Sequence, residues 1–375
     1  MSSDSRTDTD LVVIGAGIAG LAHAIAAHER GLRVIVVERD LRAVGASVRN
    51  FGHACVTAQS GELYDLAQVA RGKWLRYGTA AGMFVREAGG LAVARTAAEA
   101  AVLEELSASR EAGQVALLTP AQVREHLGDA ADGSIVGGAF LRDDLRVDPR
   151  EAVGALAAWL AAQPGVGFRW GTAFLGAEDG VVRTTRGDIR APRTIVCVGH
   201  DLDHVFPDLA EAGKVERCGL QMALAEAPGG VRIAPAVLTG TSMLRYPAFA
   251  ETAAAEALRA EMAATHPQLV EIGANVMFTQ RPDGTLIVGD SHRYGATMDP
   301  FTEEATSRTL LDEIGRILGS PLRVRQRWQG VYASSAQQPY LIAEAAPGVT
   351  AVSITSGVGM TISLGVAQKT LASFD

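Results

Sequence analysis

The stretch Asp10-Leu-Val-Val-Ile-Gly15-Ala-Gly17-Ile-Ala-Gly20 decides the fold. Leu11 to Ile14 is a short unbroken apolar run, the pattern of a strand buried on both faces of a parallel sheet. It runs into Gly15-x-Gly17-x-x-Gly20 and then an alanine-rich helical stretch to about Arg30, with Gly31 as a helix stop. Leu32 to Val37 reads as a second strand ending at Glu38, which completes a βαβ unit. Three spaced glycines alone are a weak sign. Their place between strand and helix, with an acid ending the next strand roughly 20 residues on, makes them a dinucleotide-binding fingerprint. Gly15 permits the tight turn, Gly17 lets the backbone approach a pyrophosphate, and Gly20 lets the helix pack on the strand. The helix opening at Ile18 and Ala19 offers free N–H groups and a partial positive charge to phosphates. Glu38 can accept hydrogen bonds from the ribose hydroxyls and would repel a 2′-phosphate; Arg39 either lies over an adenine or faces solvent.

Working outward, a 375-residue chain exceeds the usual size of one hydrophobic core, so two lobes are expected. Lys+Arg 34 against Asp+Glu 42 gives a net charge of −8. That balance argues against nucleic acid or an anionic membrane held mainly by charge. Three widely spaced cysteines, Cys55, Cys197 and Cys218, suggest neither zinc nor a disulfide framework. The polar start, Met1 to Asp10, lacks the features of a signal peptide, and no apolar run is long enough for a membrane span. A cytoplasmic protein is expected.

Further along, helices are expected over Glu62 to Gly78 (with Leu63, Leu66, Val69 and Ala70 on one face), Ala97 to Arg110 and Ala250 to Thr265. Asp148-Pro149 reads as the N-cap and first residue of another helix. Strands are expected at Gly89 to Val93, Ala116 to Leu118, Phe168 to Phe174, Val181 to Thr185, Ile189 to Val198 and Val349 to Ile354. Gly357-Val-Gly359 then opens a final helix. The alternation of segments suggests two interleaved lobes.

A single fingerprint at the N-terminus, with no second one mid-chain, favours FAD over NAD. The chain resembles the FAD-dependent D-amino-acid oxidase superfamily, which includes glycine oxidase and monomeric sarcosine oxidase. The motifs shared are the fingerprint, Val147-Asp148-Pro149, Thr194 to Gly199, Asp283 to Gly289, and Trp328-Gln-Gly330-Val-Tyr332 through Gly357-Val-Gly359-Met360-Thr361. The stretch Gly45-Ala-Ser47-Val-Arg49-Asn50-Phe51-Gly52-His53 is most similar to a subgroup found beside enzymes of aminophosphonate degradation. The resemblance implies an α/β fold: a Rossmann-like FAD lobe from residues 1–75, 148–216 and 326–375, interleaved with an antiparallel-sheet cap from 76–147 and 217–325. It also implies that the chain is an FAD-dependent oxidoreductase acting on a small amine.

By the same resemblance, Ser47, Asn50, Ala173 and Gly199 would touch the cofactor, and Gly357, Val358, Gly359, Met360 and Thr361 would present a helix N-terminus to its flavin ring. Arg49 and His53 would border the substrate, and His292 falls within one position of a substrate-site histidine of sarcosine oxidases. His53 and His292 are thus the candidate catalytic groups. Departures from the family pattern are equally informative. Amino-acid oxidases carry a carboxylate-clamping arginine where this chain has Tyr332, so an ordinary α-amino acid is disfavoured. No cysteine stands beside Gly330, so the FAD is expected to be non-covalent; a lysine that assists oxygen in sarcosine oxidase is replaced near Thr361. A phosphonate head held by Arg49, Arg245 and Tyr332 would replace the lost clamp, with Tyr246 and Arg293 as further substrate-binding candidates in the cap. The expected reaction is oxidation of an aminophosphonate to an imine, with oxygen accepting the electrons to give hydrogen peroxide. An amino-acid or sarcosine oxidase or dehydrogenase is an alternative, as is a flavin hydroxylase, whose Gly-Asp motif is faintly matched by Gly289-Asp290. A tRNA-modifying or non-catalytic flavoprotein is disfavoured by the acidic balance. His200 and His204 flank Asp201 and Asp203, but no metal is expected there.

Overall fold

The computed structural model describes residues 8–374, so most of the polar N-terminal stretch lies outside the described residues. The opening strand, Leu11–Ile14, lies inside a six-stranded sheet. Val34–Val37 and Arg193–Val196 flank it, both parallel to it. Val166–Arg169 extends the sheet on one side and Val349–Ile354 on the other, and Tyr340–Ala346 closes an edge antiparallel. Both faces are covered, which explains the unbroken apolar run. Leu11 and Val13 pack towards helices Ile18–Glu29, Gly61–Ala80, Pro149–Ala161 and Gly359–Ala372. Val12 and Ile14 pack towards the small sheet Phe174–Glu178, Val181–Thr184 and Ile189–Arg190.

A mixed, mostly antiparallel nine-stranded sheet forms the second lobe. Its spine is Glu216–Ala225, paired on one edge with Val324–Ser334 and on the other with Leu286–Gly289 and Arg293–Gly295. The spine's side chains alternate. Ala223 and Ala225 join the core beneath helix Glu304–Ile317, whereas Cys218, Leu220, Met222 and Leu224 form a separate cluster with Phe51, Met277 and Ile287. Tyr332 packs on that cluster.

Several sequence expectations shift. The stretch 168–174 splits, because Val166–Arg169 belongs to the parallel sheet while Phe174 starts the hairpin sheet. Val69 is exposed, so the buried face of Gly61–Ala80 runs instead through Leu66, Ala67, Ala70 and Trp74. The helical stretch 250–265 is two helices, Pro247–Ala250 and Ala254–Thr265. Helix Glu304–Ile317 is unanticipated; only Leu310, Ile314 and Ile317 make its apolar stripe. The lobe boundary at residue 326 also moves, since Val324–Ser334 pairs throughout with the second-lobe strand Glu216–Ala225. Among the described residues no helix is long and apolar enough to cross a membrane.

Candidate active site

One cavity of about 550 Å³ runs from the glycine turn, between the lobes, to the second-lobe sheet. At its near end the wall is backbone. Gly15 has φ +99°, and a Cβ there would lie 2.3 Å from the carbonyl oxygen of Cys197 on the neighbouring strand. A Cβ at Gly20 would lie 1.8 Å from the Gly15 carbonyl oxygen, so Gly20 serves helix packing and does not line the cavity. Gly17 is different. A Cβ there would meet only the Ser47 hydroxyl, at 3.1 Å, which leaves its cavity face open to a ligand. The Ile18 amide donates to Ser47 Oγ (2.9 Å), and Asn50 ties the same loop by donating to the Ala46 and Ser47 carbonyls. Glu38 lines the cavity with its carboxylate held by the Ala16 and Asp40 amides. Arg39 lies at the exposed rim, ion-paired with Asp201 at 2.7 Å.

Ala19, Ala173, Gly199, Gly357, Gly359 and Met360 line the middle of the cavity. No side chain caps the first turn of the final helix, Gly359–Ala372. Val358 and Thr361 do not line the cavity. Thr361 instead accepts a hydrogen bond from the Cys55 amide (3.1 Å), tying the final helix to the loop before Gly61. These features fit FAD: an open glycine turn and helix N-terminus for the diphosphate, Glu38 for the ribose, and an uncapped helix start beside the space left for the ring system. The residues that would hold it are Gly15, Gly17, Ile18, Glu38, Ser47, Gly357 and Gly359.

At the far end the wall is side chains from separate elements. Arg245 is half-buried; its guanidinium donates to the Tyr332 hydroxyl (2.7 Å) and the Tyr294 hydroxyl (3.3 Å). Among the described residues no carboxylate lies within ion-pair distance of it, yet burial fails to discharge it, because the surrounding phenol oxygens and Asp290 favour the cation. Arg49, Tyr246, Tyr332 and His292 complete that end; Arg49 also donates to the Gln329 carbonyl. Burial drives the Tyr246 and Tyr332 hydroxyls well above their usual range, so both stay protonated donors. The His292 ring is neutral, its pKa pulled down to about 3 by burial and by the Arg245 charge. Its Nδ1 donates to the Gly273 carbonyl (2.9 Å), which leaves Nε2 as an acceptor.

Two expected site residues lie elsewhere. His53 does not line the cavity: its Nε2 meets Asp144 Oδ2 at 2.7 Å with both side chains buried, and Asp144 also accepts from the Thr57 amide. It is a post holding the loop 53–57 to the strand at Leu145–Val147, not a catalytic group. Arg293, next to buried His292, is exposed at the start of the edge strand Arg293–Gly295 and does not line the cavity. The sequence reading also missed Asp290. It lines the cavity, is 3% exposed, and has an Oδ1 with no hydrogen-bond partner. Burial lifts its carboxyl to about 7, against the pull of Arg245 and Asn275. Its signal was in view, since it ends the apolar run Leu286–Gly289 two residues before His292.

The family described as "DAO: FAD dependent oxidoreductase" matches this sequence over residues 10–372. No curated protein sequence matches significantly. Among solved structures, a glycine oxidase from Bacillus cereus is similar with a TM-score of 0.77 and 16% identity, covering 97% of this chain and 94% of that one. The L-proline dehydrogenase of P.horikoshii superposes with a TM-score of 0.79 and 18% identity (98% and 93% covered). The L-alpha-glycerophosphate oxidase of Mycoplasma pneumoniae, solved with FAD bound, gives 0.73 and 17% (98% and 95% covered). The open glycine cradle, the cavity leading from it and the family match over almost the whole chain agree: this protein belongs to the DAO family of FAD-dependent oxidoreductases.

Proposed function

We propose that the chain oxidises the C–N bond of a small amine that also carries an anionic group, an aminophosphonate, to an imine that hydrolyses to a carbonyl product. FAD supplies the acceptor for the two electrons, and oxygen regenerates it with release of hydrogen peroxide. The observation that carries the reading is Arg245, a half-buried guanidinium in the cavity wall that donates to two phenol hydroxyls and has no carboxylate within ion-pair distance among the described residues. A partly desolvated cation with no ion-pair partner in contact gains by pairing, and an anionic substrate head supplies that partner. Arg245 with the protonated Tyr332 and Tyr246 offers several donors, which suit the three oxygens of a phosphonate. Two of the similar solved structures are named for oxidation of glycine and L-proline, which supports an amine in preference to an alcohol.

Anaerobic mixing of the purified yellow protein with amines, aminophosphonates and amino acids tests this. 2-Aminoethylphosphonate or its N-methyl or hydroxy derivative should bleach the flavin band. Arg245→Met should raise KM for that amine by on the order of 10- to 100-fold, the size expected for a lost charged hydrogen bond. A panel that leaves the band intact, or an unchanged KM in Arg245→Met, overturns the reading.

A further inference from the structure

We propose that Asp290 and His292 form the seat for the substrate's ammonium group, and that Asp290 takes the proton that must leave nitrogen before the C–N bond is oxidised. The inference rests on the amine reading above and assigns a residue to its proton.

The two groups line the same end of the cavity, with His292 Nε2 and Asp290 Oδ2 3.9 Å apart. That is too far for a hydrogen bond between them. Nor, once Asp290 is ionised, can either donate to the other. His292 spends its ring proton on the Gly273 carbonyl, so Nε2 is an acceptor, and an ionised carboxylate only accepts. Asp290 Oδ1 is buried without a partner. Paired buried acceptors with no donor between them are costly to the free protein. An ammonium group, with three N–H donors and a positive charge, satisfies them together. Arg245 lies close enough to influence Asp290, so one end of the cavity presents a cation and an anion that are not within ion-pair distance of each other. A zwitterion, with its anionic head on Arg245 and its ammonium on Asp290, completes both.

An ammonium carries no lone pair on nitrogen to assist the loss of hydride from the adjacent carbon, so one proton must go first. The N–H bond breaks with its electron pair remaining on nitrogen, and the O–H bond forms on Asp290; nothing is oxidised in this step. The groups facing Asp290 leave it as the one that titrates near neutrality. Arg245 stays cationic, Tyr246 and Cys218 are pushed up by burial, and His292 is held neutral far below. Tyr332 and Tyr294 stand behind, on Arg245. Asn275 contributes only an amide.

Single-turnover bleaching of the holoenzyme by 2-aminoethylphosphonate across neutral pH is the first test. The wild-type rate should climb through about pH 7 as Asp290 ionises. In Asp290→Asn with unchanged flavin content, the rate at pH 7 should fall on the order of 10²-fold. Its rising limb should move towards the ionisation of the free amine, about 10. A limb near pH 7 that survives in Asp290→Asn and does not coincide with the second ionisation of the phosphonate, titrated in the free compound, overturns the proposal. A second measurement does not require turnover: calorimetry in buffers of different ionisation heat, using taurine and ethanesulfonate, whose sulfonates do not titrate near neutrality. At pH 7 taurine should expel a proton from wild type and ethanesulfonate should not, and Asp290→Asn should abolish the release. No proton release from wild type, or release that persists in the variant, overturns the proposal. If no amine bleaches the wild type while taurine still shows the Asp290-dependent release, the oxidation reading fails and the ammonium seat stands.

Discussion

The two ends of the cavity are built from different material. The near end is contiguous backbone: Gly15, Gly17 and the amides that open the first helix, shaped by where a Cβ cannot go. The far end is side chains gathered from distant stretches, Arg245, Asp290, His292 and Tyr332; all but Asp290 are held by hydrogen bonds to other elements. The backbone end suits a cofactor common to a family, because amides and a helix N-terminus read phosphate whatever the side chains are. The side-chain end suits selection, because one substitution there changes charge without moving the chain. Tyr332 is such a position: its hydroxyl accepts a hydrogen bond from the Arg245 guanidinium.

Three experiments break or sharpen this contrast. The largest effect belongs to a residue that neither end uses. Asp144→Ala leaves both His53 and the Thr57 amide buried without their hydrogen-bond partner and should cost about 3–5 kcal/mol, read as a lower urea midpoint. If folding is intact but bleaching alone is lost, His53 belongs to the far end after all. Next, His23 is buried in the first helix, beneath the near end, bonded to the Ala19 carbonyl and to Thr370. Burial lowers its pKa from 6.5 to about 4. Between those values the unfolded chain binds a proton that the folded chain refuses. His23 should therefore remove about 3 kcal/mol of stability as pH falls from 6.5 to 4, and none above. Urea titrations across that window should show a flatter slope in His23→Gln; equal slopes would refute the assignment. The smallest effect is at Arg293. Its exposed side chain should make Arg293→Ala neutral to within about 0.5 kcal/mol in stability and leave KM unchanged, in contrast to its neighbour His292.

The first forty residues were readable because each piece of evidence there is local. A strand, a glycine turn and a helix adjoin in sequence, and the steric demand on Gly15 and Gly20 comes from backbone within or beside that unit. Arg245, Tyr246, His292 and Tyr332 were reachable through resemblance and charge. His53 and Arg293 were misplaced for one reason: sequence shows which residues can do chemistry but not which way a side chain turns. His53 turns to Asp144, and Arg293 is exposed beside buried His292. Asp290 shows the converse. At the end of an apolar strand it looks like an ordinary turn residue, and only the packing of Arg245 and Asn275 around it makes it a buried acid.

The sequence by itself determined the FAD cradle and the alternation of lobes, since both follow from short-range periodicity and from glycines that no other residue can replace. Only the tertiary structure decided which polar side chains line the far end of the cavity. Burial and charge pairing are set by neighbours dozens to hundreds of residues away, and no local pattern carries that information.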